Sequence, residues 1–183
     1  KSAILQLLKF TILALLIITP FRFFIAQPFI VSGASMEPTI DPHEYLIIDQ
    51  LTYRFEKPER GDVIIFRYPL DPALFFVKRV IGLPGERVDI ENGSVTISSD
   101  TDSAHILTEP YAKEGQTVGK KGDSIVLDDD EYFVLGDNRK ESSDSRTWGP
   151  VQEHYIVGRA LARLFPFAEA QLFPGAYSFT DTE

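Results

Sequence analysis

An apolar run near the amino terminus restricts how the first segment of the chain can fold. Between residues 3 and 26 the strongly polar side chains are those of Gln6, Lys9 and Arg22. About 20 mostly apolar residues are enough for a helix to cross a bilayer. The run therefore predicts a transmembrane anchor over residues 1–27, with the lysines at its front favouring a cytoplasmic amino terminus.

Two alternatives to the anchor stay open at this point. A cleavable signal peptide would end in small residues such as Ser32-Gly33-Ala34, although these lie well beyond the apolar run. A helix buried in a soluble domain would also be apolar on all sides, although the run is long for a domain of this size. A further span upstream of Lys1 is compatible with the anchor as well.

Beyond Pro28 the pattern changes to apolar runs of mostly four to eight residues, rich in Val, Ile, Phe and Tyr, which indicates strands. The runs are 45–48, 62–66, 75–81, 94–97, 124–127, 132–135 and 156–164. Asn92-Gly93 is typical of a β-hairpin turn. Residues 28–183 are therefore predicted to form a mostly β extracytoplasmic domain, an antiparallel sheet or partly closed barrel. Polar residues 98–122 are expected to be a surface insert with little chemistry.

Composition argues against several classes of function. The formal net charge is -9 and no cluster of Lys and Arg forms a basic stripe, so nucleic-acid binding is not expected. The absence of cysteine excludes thiol nucleophiles and thiolate metal sites. The three histidines, His43, His105 and His154, lie in unlike contexts, which disfavours a zinc site and a Ser-His-Asp triad. Lysine remains as the base, and no cofactor is expected.

Ser35 lies among small residues, because Gly33 and Ala34 precede it. Such residues let the backbone approach a ligand closely, and Pro38 prevents the segment from continuing as a helix. A serine in this setting can present its hydroxyl to an acyl group beside backbone N–H donors. Taken alone, however, these residues favour a plain turn that joins the anchor to the domain.

Two adjacent cations, Lys78 and Arg79, lie within an apolar run and would point to opposite faces of a strand. Burying both charges is costly. Arg79 would therefore stay charged beside a carboxylate, while desolvation would lower the pKa of Lys78 until a neutral amine can act as a base. A lysine that reaches solvent from an edge strand is the alternative.

A densely polar segment, residues 136–149, directly follows an apolar run. Asp144 is a candidate partner for Arg79, and Ser142 could orient a lysine amine. A calcium loop and a plain exposed loop are the alternatives, although the spacing of the acidic residues does not follow the EF-hand pattern.

Four motifs in this order resemble type I signal peptidases, serine proteases with a Ser–Lys dyad. They are Ser-Met-Glu-Pro-Thr at 35–39, Arg-Gly-Asp-Val at 60–63, Lys-Arg-Val-Ile-Gly-Leu-Pro-Gly at 78–85, and Gly-Asp-Asn-Arg with Ser-Ser-Asp-Ser-Arg-Thr-Trp-Gly between 136 and 149. The resemblance covers almost the whole chain. It implies a mostly antiparallel β fold and a membrane-bound endopeptidase that removes signal peptides after Ala-x-Ala.

The resemblance assigns Ser35 as the nucleophile and Lys78 as the general base. Ser142 would bond the lysine amine, and Asp144 with Arg79 would brace the site. Further support is expected from Ser32, Gly33, Asp137 and Arg146. Some members carry a serine at the position of Gly33, so this chain leaves the second oxyanion donor to the backbone or to a hydroxyl such as that of Ser32. Apolar pockets would be lined by Phe29, Val31, Met36, Ile40, Leu46, Ile65, Phe76 and Val77.

The implied partners are the signal peptides of secretory preproteins, membrane lipid and the export translocon. The implied location is the plasma membrane, with the thylakoid membrane as the alternative. Two rival functions are weighed against this one. A self-cleaving regulator with a Ser–Lys dyad would need a DNA-binding or cleavable arm where this chain has its apolar run. A membrane-tethered β-domain that only binds peptides would be insensitive to substitution of Lys78.

Overall fold

The computed structural model describes residues 2–24, 26–100, 102–112 and 123–179. A helix, α1 (Ser2–Phe24), precedes the strands, and a one-turn helix, α2 (Ser145–Trp148), follows the ninth strand. The strands are β1 (Ala26–Ile30), β2 (Tyr45–Asp49), β3 (Val63–Tyr68), β4 (Asp71–Gly82), β5 (Arg87–Glu91), β6 (Ser94–Ser98), β7 (His105–Ile106), β8 (Asp123–Val126), β9 (Glu131–Leu135), β10 (Val151–Gln152), β11 (Ile156–Phe165) and β12 (Gln171–Leu172). Each of the seven apolar runs coincides with a strand, except that Asp62 and Leu127 lie one residue outside β3 and β8.

The amino-terminal apolar run forms α1, whose described side chains are largely exposed. Ile4 is 74% exposed and Leu16 is 66% exposed. This exposure contradicts the alternative of a helix buried in the core of the domain. Over the part of the chain that the structure describes, no helix combines the length and the mean hydropathy of a membrane span. The predicted transmembrane anchor is therefore not confirmed.

The strands form two antiparallel sheets, which confirms the mostly β prediction. The larger sheet has the order β1-β2-β11-β3-β4-β9-β10, with β12 beside β11. The smaller sheet has the order β7-β6-β5-β8. Within the described ranges neither sheet closes on itself, so the expectation of a partly closed barrel is wrong. Two sheets that share a core already bury their inner faces, and closure is not needed for that.

The larger sheet curves so that its edge strand β1 faces β4. The pairing of β11 with β2 is irregular between Ala160 and Ala162 and again between Arg163 and Phe165, and such bulges bend and twist a strand. As a result the ring of Phe29 on β1 lies 5.3 Å from the ring of Phe75 on β4, although three strands separate β1 and β4 in the sheet. This curvature brings β1 and β4 opposite each other, and the space between them is called the groove below.

The smaller sheet is joined to the larger one by a shared hydrophobic core. Val88 and Ile97 from the smaller sheet pack with Ile81 and Leu135 from the larger sheet. The predicted hairpin turn is confirmed, because Asn92 and Gly93 connect β5 to β6 and both have positive φ, 52° and 86°. Such values are those of the tight hairpin turn that favours Asn-Gly.

The expected surface insert contributes to the core at its carboxyl end. Leu107 is only 7% exposed and belongs to the same cluster as the smaller sheet. Glu109 and Tyr111 also face inward, as described below. Residues 101 and 113–122 of the predicted insert lie outside the described residues.

Candidate active site

Ser35 is presented by a turn that begins directly after β1. The turn is closed by hydrogen bonds from the Glu37 N–H to the Ala34 carbonyl (3.2 Å) and from the Ile40 N–H to the Met36 carbonyl (3.0 Å). The side chains of Met36 and Ile40 are buried in the core beneath it. Packing therefore holds the turn in place, and the Ser35 side chain is left half-buried at its top.

Gly33 permits the change of direction before this turn. Its φ is +95°, in the region that favours glycine, and a Cβ at this position would meet open space. Ser32 and Gly33 are both exposed. Gly33 stands at the position where, by the resemblance noted above, some members of the family carry a serine hydroxyl.

Lys78 reaches Ser35 from β4. Its Nζ donates to the Ser35 Oγ at 2.7 Å and to the Val77 carbonyl at 2.9 Å. The side chain is 4% exposed and its Nζ lies 5.2 Å from the centre of the Phe76 ring. Burial lowers the pKa of Lys78 to about 8, although the nearby carboxylates act in the opposite direction. A basic amine thus lies in direct contact with a hydroxyl.

Arg79 points to the other face of β4 and is fully buried. Its Nε and Nη2 donate to the two carboxylate oxygens of Asp137 at 2.8 and 2.6 Å. Its Nη1 donates to the carbonyls of Gly61 (2.9 Å) and Gly175. The Tyr111 ring covers the guanidinium at 3.8 Å. The prediction that Asp144 pairs with Arg79 is wrong, because the guanidinium of Arg79 pairs with the Asp137 carboxylate instead.

Asp144 instead pairs with Arg146 within its own loop. Arg146 Nε and Nη2 lie 2.7 Å from the two oxygens of Asp144. The same carboxylate accepts the Arg146 N–H as the cap of α2 (3.3 Å) and the Gly136 N–H (3.2 Å). Asp144 is fully buried. Asp144 therefore stabilises the loop of residues 136–146, which is called the polar loop below. Its negative charge also acts on Lys78, whose pKa it raises.

The polar loop is hydrogen-bonded to the backbone of the Ser35 turn. The Asn138 N–H donates to the Ser35 carbonyl at 3.0 Å, and the Asn138 Nδ2 donates to the Ala34 carbonyl at 3.1 Å. The Thr39 hydroxyl donates to Asp137 at 2.5 Å. Sequence reasoning missed Thr39 and Asn138 as site residues. Both lie inside the motifs quoted above, so their motif positions were the available signal.

Ser142 lies beside the Ser35 turn without the bond that was expected of it. Its hydroxyl is buried and, within the described parts of the chain, has no hydrogen-bond partner. The expected hydrogen bond to the Lys78 amine is therefore not formed in this structure. A Cβ on Gly136 would overlap both the Ser142 hydroxyl and the Ser35 carbonyl oxygen. Glycine at 136 thus allows Ser142 and the backbone of Ser35 to approach each other.

Most of the expected pocket residues come together in one cluster under the Ser35 turn. The members are Phe29, Val31, Met36, Ile40, Leu46, Ile65 and Val77. Met36, Ile40, Leu46 and Ile65 form its fully buried floor. Phe76 belongs to a different cluster around Phe66 and stacks on the Tyr68 ring at 4.5 Å. The structure therefore separates Phe76 from the other seven.

One group of carboxylates has the spacing of a metal site. Ligand oxygens of Asp41, Glu44 and Glu169 lie within 4.8 Å of one another. Glu44 is already bound by Arg163 at 2.9 Å, and Asp41 and Glu169 are exposed. Arg163 supplies the positive charge that such a group needs, so the geometry does not call for an ion.

The chain is similar to known proteins over most of its length. The family described as signal peptidase, peptidase S26, matches residues 4–165. Probable signal peptidase I-2 of Synechocystis sp. is 35% identical over 169 residues, which cover 88% of this chain and 73% of that protein. Signal peptidase I of Bacillus amyloliquefaciens is 32% identical over 178 residues, 92% of each chain. Probable thylakoidal processing peptidase 2 of Arabidopsis thaliana is 31% identical, over 80% of this chain and 40% of that protein.

The family match covers the Ser35 turn, β4 and the polar loop together. It agrees with a site that offers a hydroxyl in contact with a buried amine and no thiol. The chain belongs to the signal peptidase family, peptidase S26, and is a serine endopeptidase.

Proposed function

We propose that this chain is a membrane-bound endopeptidase that removes signal peptides from exported preproteins, with Ser35 as nucleophile and Lys78 as general base. The observation that carries the proposal is the 2.7 Å contact between the Lys78 Nζ and the Ser35 Oγ. Because burial lowers the pKa of Lys78 to about 8, a useful fraction of the amine is neutral near neutral pH. A neutral amine in hydrogen-bond contact can take the hydroxyl proton.

The reaction would proceed in two halves. Lys78 takes the proton of Ser35 as the Oγ attacks the scissile carbonyl, and the resulting ammonium protonates the leaving amine as the peptide bond breaks. The acyl group is then an ester of Ser35. Lys78, neutral again, takes a proton from water as the water oxygen attacks the ester, and it returns that proton to the Ser35 Oγ as the acyl product leaves.

The oxyanion would be held by the Ser35 backbone N–H. Gly33 offers no side-chain hydroxyl, so the second donor is proposed to be a neighbouring backbone N–H or the exposed hydroxyl of Ser32. Preorganised donors of this kind are commonly worth about 10²-fold or more in rate. The polar loop supports this geometry, because Asn138 holds the carbonyls on either side of the Ser35 N–H.

The remaining site residues are proposed to position the two reacting groups. The unpartnered hydroxyl of Ser142 is available to bond the Lys78 amine once the amine has given up its contact with Ser35. Asp137, paired with Arg79, holds the Ser35 turn through Thr39. Asp144 and Arg146 keep the polar loop folded.

The substrate would bind in extended form in the groove between β1 and β4. Residues 75–78 of β4 pair with β3 on one side, and the pairing with β9 begins only at Arg79. The other edge of residues 75–78 therefore has no strand partner among the described residues and can accept a peptide strand. Val31 and Val77 lie over a floor of fully buried side chains. Pockets over such a packed floor are shallow, which favours small residues such as Ala-x-Ala.

Membrane binding is proposed to come from α1 and to confine the enzyme and its substrate to one surface. The exposed apolar side chains of α1 support this part of the proposal, because an exposed apolar helix is covered in its working environment. The proposed location is the plasma membrane with the β domain on the extracytoplasmic face, and the thylakoid membrane is the alternative. Lipid and the export translocon are proposed partners.

The test is cleavage of a detergent-solubilised preprotein with an Ala-x-Ala site. Wild-type protein should cut after the second alanine, and Ser35→Ala and Lys78→Met should each lose about 10³-fold or more in kcat. Lys140→Met is the matched control, because Lys140 is an exposed lysine of the polar loop, and it should retain full activity. A folded Lys78→Met variant with most of its activity would exclude Lys78 as the base. Wild-type protein that binds the preprotein without cutting it would favour the peptide-binding domain instead.

A further inference from the structure

The segment from residue 107 to residue 112, called the strap below, lies behind the polar loop and touches two of its supports. The Glu109 carboxylate binds Arg139 at both ends of its fork, with Nη1 at 3.0 Å and Nη2 at 2.6 Å. The Tyr111 ring stacks on the guanidinium of Arg79 at 3.8 Å. The Tyr111 hydroxyl donates to the same Glu109 carboxylate at 3.0 Å. One short segment thus holds two buried cations at once.

Both cations are connected to the Ser35 turn by short contacts. Arg139 Nε donates to the Gly136 carbonyl at 2.9 Å. The N–H of the preceding residue, Asn138, donates to the Ser35 carbonyl. Arg79 holds Asp137, which accepts the Thr39 hydroxyl from the far end of the turn. The strap therefore acts on both ends of the turn, although it is far from it in sequence.

The buried guanidinium of Arg139 depends on the Glu109 carboxylate for its charge compensation. The Arg139 side chain is fully buried, and burial alone would lower its pKa. The hydrogen bonds and charge of Glu109 outweigh burial and raise the pKa of Arg139 above its ordinary value. Burial also raises the pKa of Tyr111, so its hydroxyl stays protonated and keeps donating to Glu109. Removing the Glu109 carboxylate would take two hydrogen bonds and their charge from this buried guanidinium, and breaking a buried pair in this way destabilises the structure around it.

We infer that Glu109 and Tyr111 are positioning residues for catalysis, which act on Ser35 through Arg139 and Arg79. This inference rests on the proposed function, since it concerns the rate at which Ser35 reacts. The stacked ring and the paired carboxylate keep the polar loop at the distance at which Asn138 bonds the Ser35 carbonyl. A displacement of about 1 Å at a reacting group is enough to cost up to about 10²-fold in rate.

The experiment compares Glu109→Gln and Tyr111→Phe with a control pair elsewhere in the protein. Glu86 forms a similar two-bond contact with Arg60, at 2.9 and 2.5 Å, and both side chains are 15% exposed. Glu86→Gln therefore removes a comparable charge without touching the polar loop. The proteins are compared in detergent, with active sites counted from the burst of product released from a peptide ester.

Glu109→Gln should lower kcat per active site by about tenfold with KM changed by less than about twofold. Tyr111→Phe keeps the ring over Arg79 and loses only the hydroxyl bond, so its effect should be smaller and in the same direction. Glu86→Gln should leave kcat per site unchanged. A merely structural role would reduce the number of active sites and leave kcat per site as it was. Equal kcat per site in wild type, Glu109→Gln and Tyr111→Phe would overturn the inference.

Hydrogen exchange of the Asn138 amide provides a readout that does not need activity. Its exchange should become faster in Glu109→Gln and Tyr111→Phe and stay unchanged in Glu86→Gln, because only the first two loosen the bond to the Ser35 carbonyl. If the wild type fails to cleave preprotein, the proposed function falls, and this exchange still decides whether the strap holds the loop. Unchanged exchange of the Asn138 amide in both strap variants would reject the inference. If Glu109→Gln folds too poorly to be measured, unchanged exchange in Tyr111→Phe alone would reject it.

Discussion

The two faces of β4 treat neighbouring cations in opposite ways. On the face that Lys78 shares with Phe76, the Lys78 amine contacts a hydroxyl, a carbonyl and the Phe76 ring. On the inner face, Arg79 has a carboxylate, two carbonyls and a stacked ring around it. Both side chains are almost completely buried. The difference, among the residues that the structure describes, is that Arg79 has a carboxylate within hydrogen-bond distance and Lys78 does not.

The comparison shows how one strand can bury two positive charges. Arg79 cannot lose its proton in a protein, so it needs a direct counter-ion. Lys78 can lose its proton, and its burial without a bound carboxylate makes it do so more readily. The carboxylates of Asp137 and Asp144 raise the pKa of Lys78 from a distance but do not outweigh burial. Pairing one cation therefore leaves the other free to act as a base.

The largest expected effect on stability comes from breaking the paired face. Arg79→Leu leaves the fully buried Asp137 without its partner, and breaking a buried pair in this way commonly costs about 3–5 kcal/mol. We expect the free energy of unfolding in urea to fall by about that amount. Arg159→Leu is the control, since its pair with Asp49 is 28% and 12% exposed and should contribute about 1 kcal/mol or less. Equal losses in the two variants would show that the inner face is not special.

On the unpaired face, Lys78→Met is expected to raise the free energy of unfolding, by less than Arg79→Leu lowers it. The folded pKa of Lys78 is about 8 and the ordinary value is 10.5. The unfolded chain therefore binds the proton more tightly, and wild-type stability rises with pH between these two values. Below pH 8 the wild type carries the full cost of burying a charged Lys78. The free energy of unfolding of Lys78→Met should therefore exceed that of the wild type by up to about 3 kcal/mol there.

The ionisation part of this gain should vanish above pH 10.5, where both states are neutral. The measurement is the free energy of unfolding near neutral pH and again at high pH, for wild type, Lys78→Met and the exposed Lys140→Met. Lys140→Met should show no gain that depends on pH. A Lys78→Met variant that is less stable than wild type near neutral pH would contradict the account of the unpaired face.

Much of the fold could be predicted because its strands are short apolar runs bounded by Gly, Pro and Asp. The hairpin at Asn92-Gly93 was also predictable, since few other residue pairs adopt that turn readily. The curvature of the larger sheet was not, because it comes from irregular pairing along β11 that leaves no distinct local pattern. The groove between β1 and β4 depends on that curvature.

The candidate site was predictable in its two reacting residues and less so in what holds them. Asp137 and Asp144 lie in the same loop, and only the folded loop decides that Asp137 faces Arg79 while Asp144 faces Arg146. Glu109 was hidden in a polar stretch that looked like an exposed insert. Its signal is the apolar pair Ile106-Leu107 within that stretch, of which Leu107 is buried and turns the following residues inward.

The most direct test of the central claim is the pH dependence of kcat/KM for preprotein cleavage by the wild type. This quantity reports the ionisation of essential groups in the free enzyme. If Lys78 is the base, activity should rise with pH as the amine loses its proton, with a midpoint near 8. A midpoint at the ordinary lysine value of 10.5, or a rate that does not change between about pH 6 and 10, would contradict the claim that the burial of its side chain makes Lys78 the base.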